Sequence, residues 1–238
     1  MLDETQNTIY EQLADVGGAL SNPKRLKMLN LLAQGEKPID ELARLTNQSL
    51  AAASANIKVL RKAHLITSEK RGRSVFCSLA DPRVAELWLR FRDLGEIVVP
   101  SIRELMREKF DSDESLSPMT ARDFSKKLDN GRFTLVDLRP TAEYSQGHLP
   151  KARSVPFDDL AELSSTLPKS LPMYVYCRGP FCAAAYAGNR WLLDNRFKSQ
   201  RLRFSVPEWR DAGLSLEQPI ADSPPDSTRN STSLTRPD

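Results

Sequence analysis

No uninterrupted apolar run in this chain approaches the roughly 20 residues that a membrane-spanning helix needs. The amino terminus, Met1-Leu-Asp-Glu-Thr-Gln, is acidic and lacks the basic and apolar regions of a secretory signal. These absences predict a cytoplasmic protein with no membrane partner. Cysteine is scarce as well, with three residues in 238, an odd and small number that makes no disulfide framework. Reduced thiols then remain available for chemistry. Two of the three, Cys177 and Cys182, stand five positions apart around a Gly-Pro turn.

Length and a 40% hydrophobic content suit two modest domains. The net charge is only +3, and all of the excess lies in the first half: residues 1–110 carry 17 basic against 14 acidic side chains, and residues 111–238 carry 17 of each. Between Lys58 and Arg73 there are six basic residues and one acid, Glu69. That density fits a phosphate-binding footprint, and fits a solvated basic face equally well.

The pattern predicts a mixed fold. In residues 1–110, Ile9, Leu13, Val16 and Leu20 recur at helical spacing. Asn22-Pro23 opens a second helix, Pro38 a short third, and Ser49 caps a fourth with Leu50, Ala53, Ile57 and Leu60 on one side. Ile66–Lys70 and Ser74–Leu79 read as a hairpin through Arg71-Gly72. Asp81-Pro82 begins a long helix that bends before Pro100 and ends near Phe110. Residues 111–118, "DSDESLSP", read as a linker. In residues 119–218 short apolar runs, "FTLVDL" and "MYVYC", alternate with helical patterns, as buried parallel strands do in an α/β domain. Residues 219–238 have almost no large apolar side chains and are expected to be disordered.

Two short helices joined by a tight turn, followed by a basic hairpin, make the layout of a winged helix-turn-helix. The second helix of such a pair fits the major groove, and a hairpin tipped by Lys70, Arg71 and Arg73 can reach phosphates. A small helical protein-interaction domain would show the same periodicity. In the second half, Cys177 lies where a strand ends and the chain turns through Arg178-Gly179-Pro180 into a helix. Backbone N–H groups, a helix N-terminus and Arg178 all favour a thiolate or a persulfide there. An ordinary buried thiol in a strand-helix loop is the competing interpretation.

From Ala19 to Asp81 the segments "NPKRLKMLNLL", "ELA", "IKVLRKA" and "RGRSVFCSL" resemble the ArsR family of winged-helix regulators. The resemblance implies a homodimeric repressor, paired through the first helix and residues 82–110, that binds double-stranded operator DNA until an inducer releases it. Carried over by position, the DNA-facing residues are Ser49, Ser54, Asn56, Lys58 and Arg61, with Lys70, Arg71 and Arg73 in the wing. Asn56 stands where the family often has histidine, and the alanines at 51–53 and 55 leave few base-reading side chains. Sparse direct readout, supplemented by phosphate contacts and DNA shape, is expected. His64 replaces a glycine after the recognition helix, where positive φ is expected. The cysteine pair with which many ArsR-type proteins bind metals is absent from "GEKPIDELARL", and residues 82–110 contain no histidine. No metal and no cofactor is therefore expected, and Cys77 is read as a small buried hydrophobe on the wing strand.

Residues 119–218 resemble the rhodanese domain. Asp137 and Arg139, Glu143, Gly147-His148, Cys177 and Glu208-Trp209-Arg210 fall in the expected order. The resemblance makes Cys177 the sulfur-accepting nucleophile, the 177–183 backbone including Arg178 and Gly179 its cradle, and Asp137, Arg139, Glu143 and His148 structural residues nearby. Lys151 stands where a glycine is usual, and Cys182 and Ala183 replace the arginine and hydroxyl residue of many catalytic loops.

The favoured expectation is a regulator that senses sulfane sulfur or oxidants. Cys177 accepts sulfur, Cys182 resolves it as a disulfide, and the change reaches the DNA-reading helices through residues 111–118 and the dimer helices. The alternatives are a sulfurtransferase enzyme turning over at Cys177, a metalloid sensor combining Cys77, Cys177 and Cys182, and a DNA-binding protein with an inert rhodanese fold.

Overall fold

The computed structural model describes residues 2–111 and 115–218. The first helix, α1 (Leu2–Leu20), packs only its carboxyl-terminal end, through Val16, Ala19 and Leu20, on the first core. The second, α2 (Pro23–Ala33), starts where the Asn22 side chain accepts hydrogen bonds from the backbone N–H groups of Lys24 and Arg25. Pro23 fills the first helical position, where no N–H is missed. A two-residue strand, β1 (Lys37–Pro38), precedes α3 (Ile39–Leu45) and α4 (Leu50–Lys62). Ser49 caps α4 by accepting from the Ala52 N–H. The wing is β2 (Ile66–Arg71) and β3 (Ser74–Leu79), in register from Ile66↔Leu79 to Arg71↔Ser74. Two helices follow, α5 (Pro82–Val98) and α6 (Pro100–Lys109), parted at Val99 because Pro100 cannot continue the preceding hydrogen-bond ladder. His64, after α4, has φ of 56°, the left-handed turn expected there.

Strand β1 has no signature in the sequence, being too short to alternate and half proline. It pairs antiparallel with β3, Lys37 opposite Cys77 and Pro38 opposite Phe76, in a sheet of order β1-β3-β2. Met28, Leu29, Leu32, Leu42, Ile57 and Leu60 form the core beneath it.

The second half contains α7 (Ala121–Asn130), β4 (Thr134–Asp137), α8 (Thr141–Ser145), β5 (Ala152–Ser154), α9 (Leu160–Leu163), β6 (Pro172–Tyr176), α10 (Ala183–Asp194), β7 (Lys198–Arg201) and α11 (Val206–Asp211). Its sheet is parallel throughout, in the order β5-β4-β6-β7. Side chains on β6 alternate between two cores. Tyr174 and Tyr176 join Phe124, Phe204 and Trp209 on one face, while Met173, Val175 and Cys177 join Val136, Leu138 and Leu192 on the other. Cys177 thus continues the strand's period onto the face covered by α10.

Residues 115–117, expected as linker, run beside β7. Leu116 bridges Arg201, and the Ser117 N–H donates to the Arg201 carbonyl over 2.9 Å. The buried Arg201 guanidinium also donates to the Phe110 carbonyl and to Asp111, at 2.5 and 2.9 Å. The junction after α6 is therefore pinned to the sheet edge. The tail expected to be disordered, residues 219–238, lies outside the described residues. Among the described residues no helix is long and apolar enough to cross a membrane.

Candidate functional site

The residues expected to face DNA divide into exposed and engaged side chains. Lys58, Lys70 and Arg73 are exposed, with no ion pair among the described residues. Arg61 is exposed too, but donates to the Ser68 hydroxyl at 3.1 Å, tying α4 to β2. Arg71 spans the wing and the loop before β1, bonding both Glu36 oxygens at 2.5 and 2.9 Å and also Glu69. Asn56 is used internally: its amide donates to Gln48 and the Ala52 carbonyl, and its oxygen accepts from Arg25. Ser49 serves as the α4 cap, and Ser54 is half-buried. The exposed basic groups that remain suit phosphates rather than base edges.

The cysteine loop lies between β6 and α10. Cys177 is 3% exposed within the apolar cluster under α10. Cys182 is half-buried and is the N-cap residue of α10. The two side chains lie in the same apolar cluster, Cys177 within it and Cys182 packed against it. The adjacent Cys177 thiol, the nearby N–H groups of Arg178 and Ala185 and the Arg178 charge lower the Cys182 thiol to about 6, against the opposing effect of burial. The adjacent Cys182 sulfur and burial hold Cys177 well above the ordinary thiol value. These effects favour ionisation of Cys182, at the positive end of a helix, over that of the buried Cys177. Of the two, Cys177 at the strand end is the more buried and Cys182 at the cap the more accessible.

Gly179, at φ of 88°, turns the loop where a Cβ would come within 3.1 Å of the Glu208 carboxylate. Arg178 is bound to Glu143 through Nε at 3.0 Å and Nη2 at 2.5 Å. Asp137 and Arg139 form a fully buried pair beneath the strand ends, with Tyr176 donating to Asp137 at 2.6 Å and Arg139 to the Gly147 carbonyl at 2.9 Å. His148 stacks on Tyr144 at 3.7 Å and bonds its carbonyl. Lys151 adopts φ of 63° and donates its ammonium to the Leu128 carbonyl at 2.6 Å, so a lysine is held at this left-handed turn.

The DNA-reading half meets this loop directly, which the sequence did not suggest. Lys37, fully buried, pairs with Glu143 at 2.8 Å. The single Ser205 O–H lies within bonding distance of both the Cys177 carbonyl and Gln34 Oε1, 3.0 Å away, and is shared between them. Arg92 of α5 pairs with Glu208 at 2.5 Å and lies over the Phe181 ring, 6.0 Å from its centre. Arg92 follows the buried Trp88 by one helical turn, so a cation on the apolar face of α5 was a legible sign of a buried partner. Burial lowers the Lys37 ammonium from its ordinary value despite Glu143. Arg178 and Lys37 hold the Glu143 carboxyl below the ordinary carboxylate value although burial alone would raise it.

Cys77 does not join this site. It is fully buried in the winged-helix core, where desolvation pushes its thiol up to about 11, while Cys177 belongs to the other core. Among the described residues no group of three or more histidine, cysteine or acidic side chains could hold a metal ion. Within one chain, Cys77 and the Cys177–Cys182 loop thus belong to different cores.

Two family models match the chain: a bacterial regulatory protein of the arsR family over residues 22–68, and a rhodanese-like domain over residues 120–212. The HTH-type transcriptional regulator Rv0324 of Mycobacterium tuberculosis is 31% identical over 210 residues, spanning 88% of this chain and 92% of its own length. The chain belongs to the ArsR family of transcriptional regulators. It is a DNA-binding member that carries a carboxyl-terminal rhodanese domain. A sulfurtransferase of Allochromatium vinosum is 30% identical over 106 residues, 44% of this chain and 97% of its own. The homodimeric winged helix-turn-helix domain of Mb0332 from Mycobacterium bovis matches at 33% identity and a TM-score of 0.37, covering 38% of this chain and 84% of that domain.

Proposed function

We propose that this ArsR-family regulator is a homodimeric, cytoplasmic repressor whose rhodanese domain senses sulfane sulfur through the Cys177–Cys182 pair. In this division residues 1–110 bind DNA and dimerise, and residues 119–218 sense. The observation that carries the reading is a pair of free cysteines on one short loop, Cys182 at the N-cap of α10 and packed on the same apolar cluster as the buried Cys177. Such a pair is arranged for one cycle of oxidation.

The Cys182 thiolate attacks the outer sulfur of a hydropersulfide, R–S–SH, forming Cys182–S–SH and expelling R–S⁻. Cys177 then attacks the inner sulfur of that persulfide, its proton leaves with the departing HS⁻ as hydrogen sulfide, and a Cys177–Cys182 disulfide remains. The pair has lost two electrons and the sulfane sulfur has gained them. This order reverses the roles expected from family position, because the surroundings of Cys182 lower its thiol while those of Cys177 raise it. Reducing thiols return the pair to its starting state, which suits a reporter.

The test is operator binding by fluorescence anisotropy, using a duplex selected by the protein from a random-sequence pool. Polysulfide is expected to weaken binding at least tenfold, and reductant to restore it. A response that survives Cys177→Ser removes the disulfide from the scheme. Steady thiocyanate formation from thiosulfate and cyanide, dependent on Cys182, would instead favour an enzyme.

Exposed Ile9, Tyr10 and Leu13 of α1, with Leu87, Phe91 and Leu94 of α5, support pairing of two copies through these helices, since a surface so apolar favours burial. Sparse base readout has its own consequence. Alanine at Lys58, Lys70 or Arg73 is expected to weaken binding to different duplexes about equally, and to reduce the salt slope by about 0.9 for each phosphate that is no longer neutralised. A variant that alters preference at one base pair while keeping the slope would place that side chain in the groove.

A further inference from the structure

The first helix is longer than the core on which it packs. Its apolar stripe is Ile9, Leu13, Val16 and Leu20, yet only Val16 and Leu20, with Ala19, reach that core. Every residue from Asp3 to Asp15 is exposed, Ile9 and Leu13 included. At about 100° of turn per residue, Glu11 and Asp15 fall on the opposite face from Ile9 and Leu13. A stretch of this length is marginal as a helix in water on its own. Its apolar face needs a partner, and its own subunit supplies none.

The same subunit carries an uncovered apolar groove of about 300 Å³. Leu26 of α2, Trp88 and Phe91 of α5, and Ile102 and Leu105 of α6 line it, and Phe181 of the cysteine loop adds a further wall. Phe181 is 40% exposed, so the loop offers a large aromatic face rather than burying it. Among the described residues Arg92 is the one charged side chain lining the groove. Its guanidinium is already taken by Glu208 and Asp93 and lies over the Phe181 ring, 6.0 Å from its centre. With no free charge to attract an ion or a polar ligand, the groove suits aliphatic and aromatic side chains.

One protruding stripe and one uncovered groove per copy are what a two-fold pair closes, because each helix enters the other copy's groove and neither surface is left over. The groove is also continuous with the outer face of α5. Phe91 belongs to both, standing between Leu87 and Leu94 on that face and beside Trp88 in the groove. We infer that α1 of a second copy lies in the groove between α5 and α6 and packs Ile9 and Leu13 against Phe181, so that a helix of each subunit completes the cysteine loop of the other. The inference rests on the pairing through α1 and α5 proposed above. It adds a third element to that interface, from the rhodanese half. Phe181 directly precedes Cys182, so the loop that carries the paired thiols is also a wall of the subunit interface.

Sedimentation of the reduced full chain over a dilution series measures the dimer dissociation constant. Leu13→Ala and Phe181→Ala are each expected to raise it at least tenfold, since either variant truncates an anchor of the interface twice, once per copy. Phe157→Ala, at an exposed aromatic elsewhere on the rhodanese half, is expected to change it no more than twofold. The contact itself is read by placing photoreactive p-benzoylphenylalanine at position 181 and mixing that chain with isotope-labelled wild type. Irradiation is expected to join position 181 to residues 2–15 of the labelled copy.

A Phe181→Ala chain that dimerises within twofold of wild type would overturn the inference; if Leu13→Ala is weakened all the same, pairing through α1 and α5 stands. A crosslink confined to the chain that carries the photoreactive group overturns it too. So does a small molecule that accompanies the wild-type dimer in native mass spectrometry and is lost from Phe181→Ala, because the groove then belongs to a ligand. Wild type that stays monomeric at every concentration would overturn the pairing itself. Should Phe181→Ala fail to fold, the crosslink alone decides the matter.

Discussion

Replacing Cys182 by serine is expected to slow sulfur uptake from polysulfide at pH 7 by at least tenfold, a larger loss than Cys177→Ser causes. A thiol near 6 is about nine-tenths ionised at pH 7, whereas one at or above the ordinary value is ionised to about one part in a hundred or less. The greater intrinsic nucleophilicity of a more basic thiolate recovers part of that difference, but Cys177 is also only 3% exposed. The pH dependence follows the same assignment. In wild type the rate of uptake, or of iodoacetamide alkylation, falls as pH drops through about 6 and levels off above 7. In Cys182→Ser the rate still climbs at pH 8–9. Mass spectrometry after timed quenching measures both. If Cys182→Ser reacts within twofold of wild type while Cys177→Ser is inert, the sulfur acceptor is Cys177 after all.

Glu143→Ala is expected to destabilise the protein by about 3–5 kcal/mol, because it leaves two buried cations without their shared carboxylate. Lys37 can shed its proton more easily than Arg178, since burial already lowers its ammonium. That relief places the loss toward the lower end of the range, and makes it smaller at high pH than at low. Urea unfolding of the reduced chain at pH 6 and pH 9 gives both quantities. The exposed pair of Arg90 and Asp211, at 3.0 Å, is the control, and Arg90→Ala should cost less than about 1 kcal/mol. A Glu143→Ala loss as small as the control's would mean that water already reaches the site.

This second effect bears on how much of the molecule was legible. Helix starts at Asn22-Pro23, Ser49 and Asp81-Pro82 were written in the chain because capping is local: a side chain bonds N–H groups two or three residues away. The hairpin was equally plain, and so was the left-handed turn at His64, whose backbone departs from helix immediately after α4. Residues 115–117 were not legible, since a polar stretch gives no sign that it will lie against β7. Neither was β1, where two residues cannot display an alternation. Glu143 was placed near the site by family resemblance, but nothing local distinguishes a carboxylate that holds one arginine from one that also holds a lysine from 106 positions earlier.

By itself the sequence determined that the chain folds as a winged helix-turn-helix followed by an α/β rhodanese domain. It also determined which loop carries paired thiols and which helix and wing carry free basic charge. The elements follow from periodicity and capping, which are of short range, and the rhodanese assignment from the resemblance its ordered residues carry. Only the tertiary structure decided that Cys177 is buried under α10 while Cys182 caps that helix, because burial depends on how the loop packs. Only it set Cys77 apart from the other thiols, in a separate core. And only it brought Gln34, Lys37 and Arg92 against the cysteine loop, since the partner of a buried polar group is fixed by packing even where, as at Arg92, the helix face marks the group as buried.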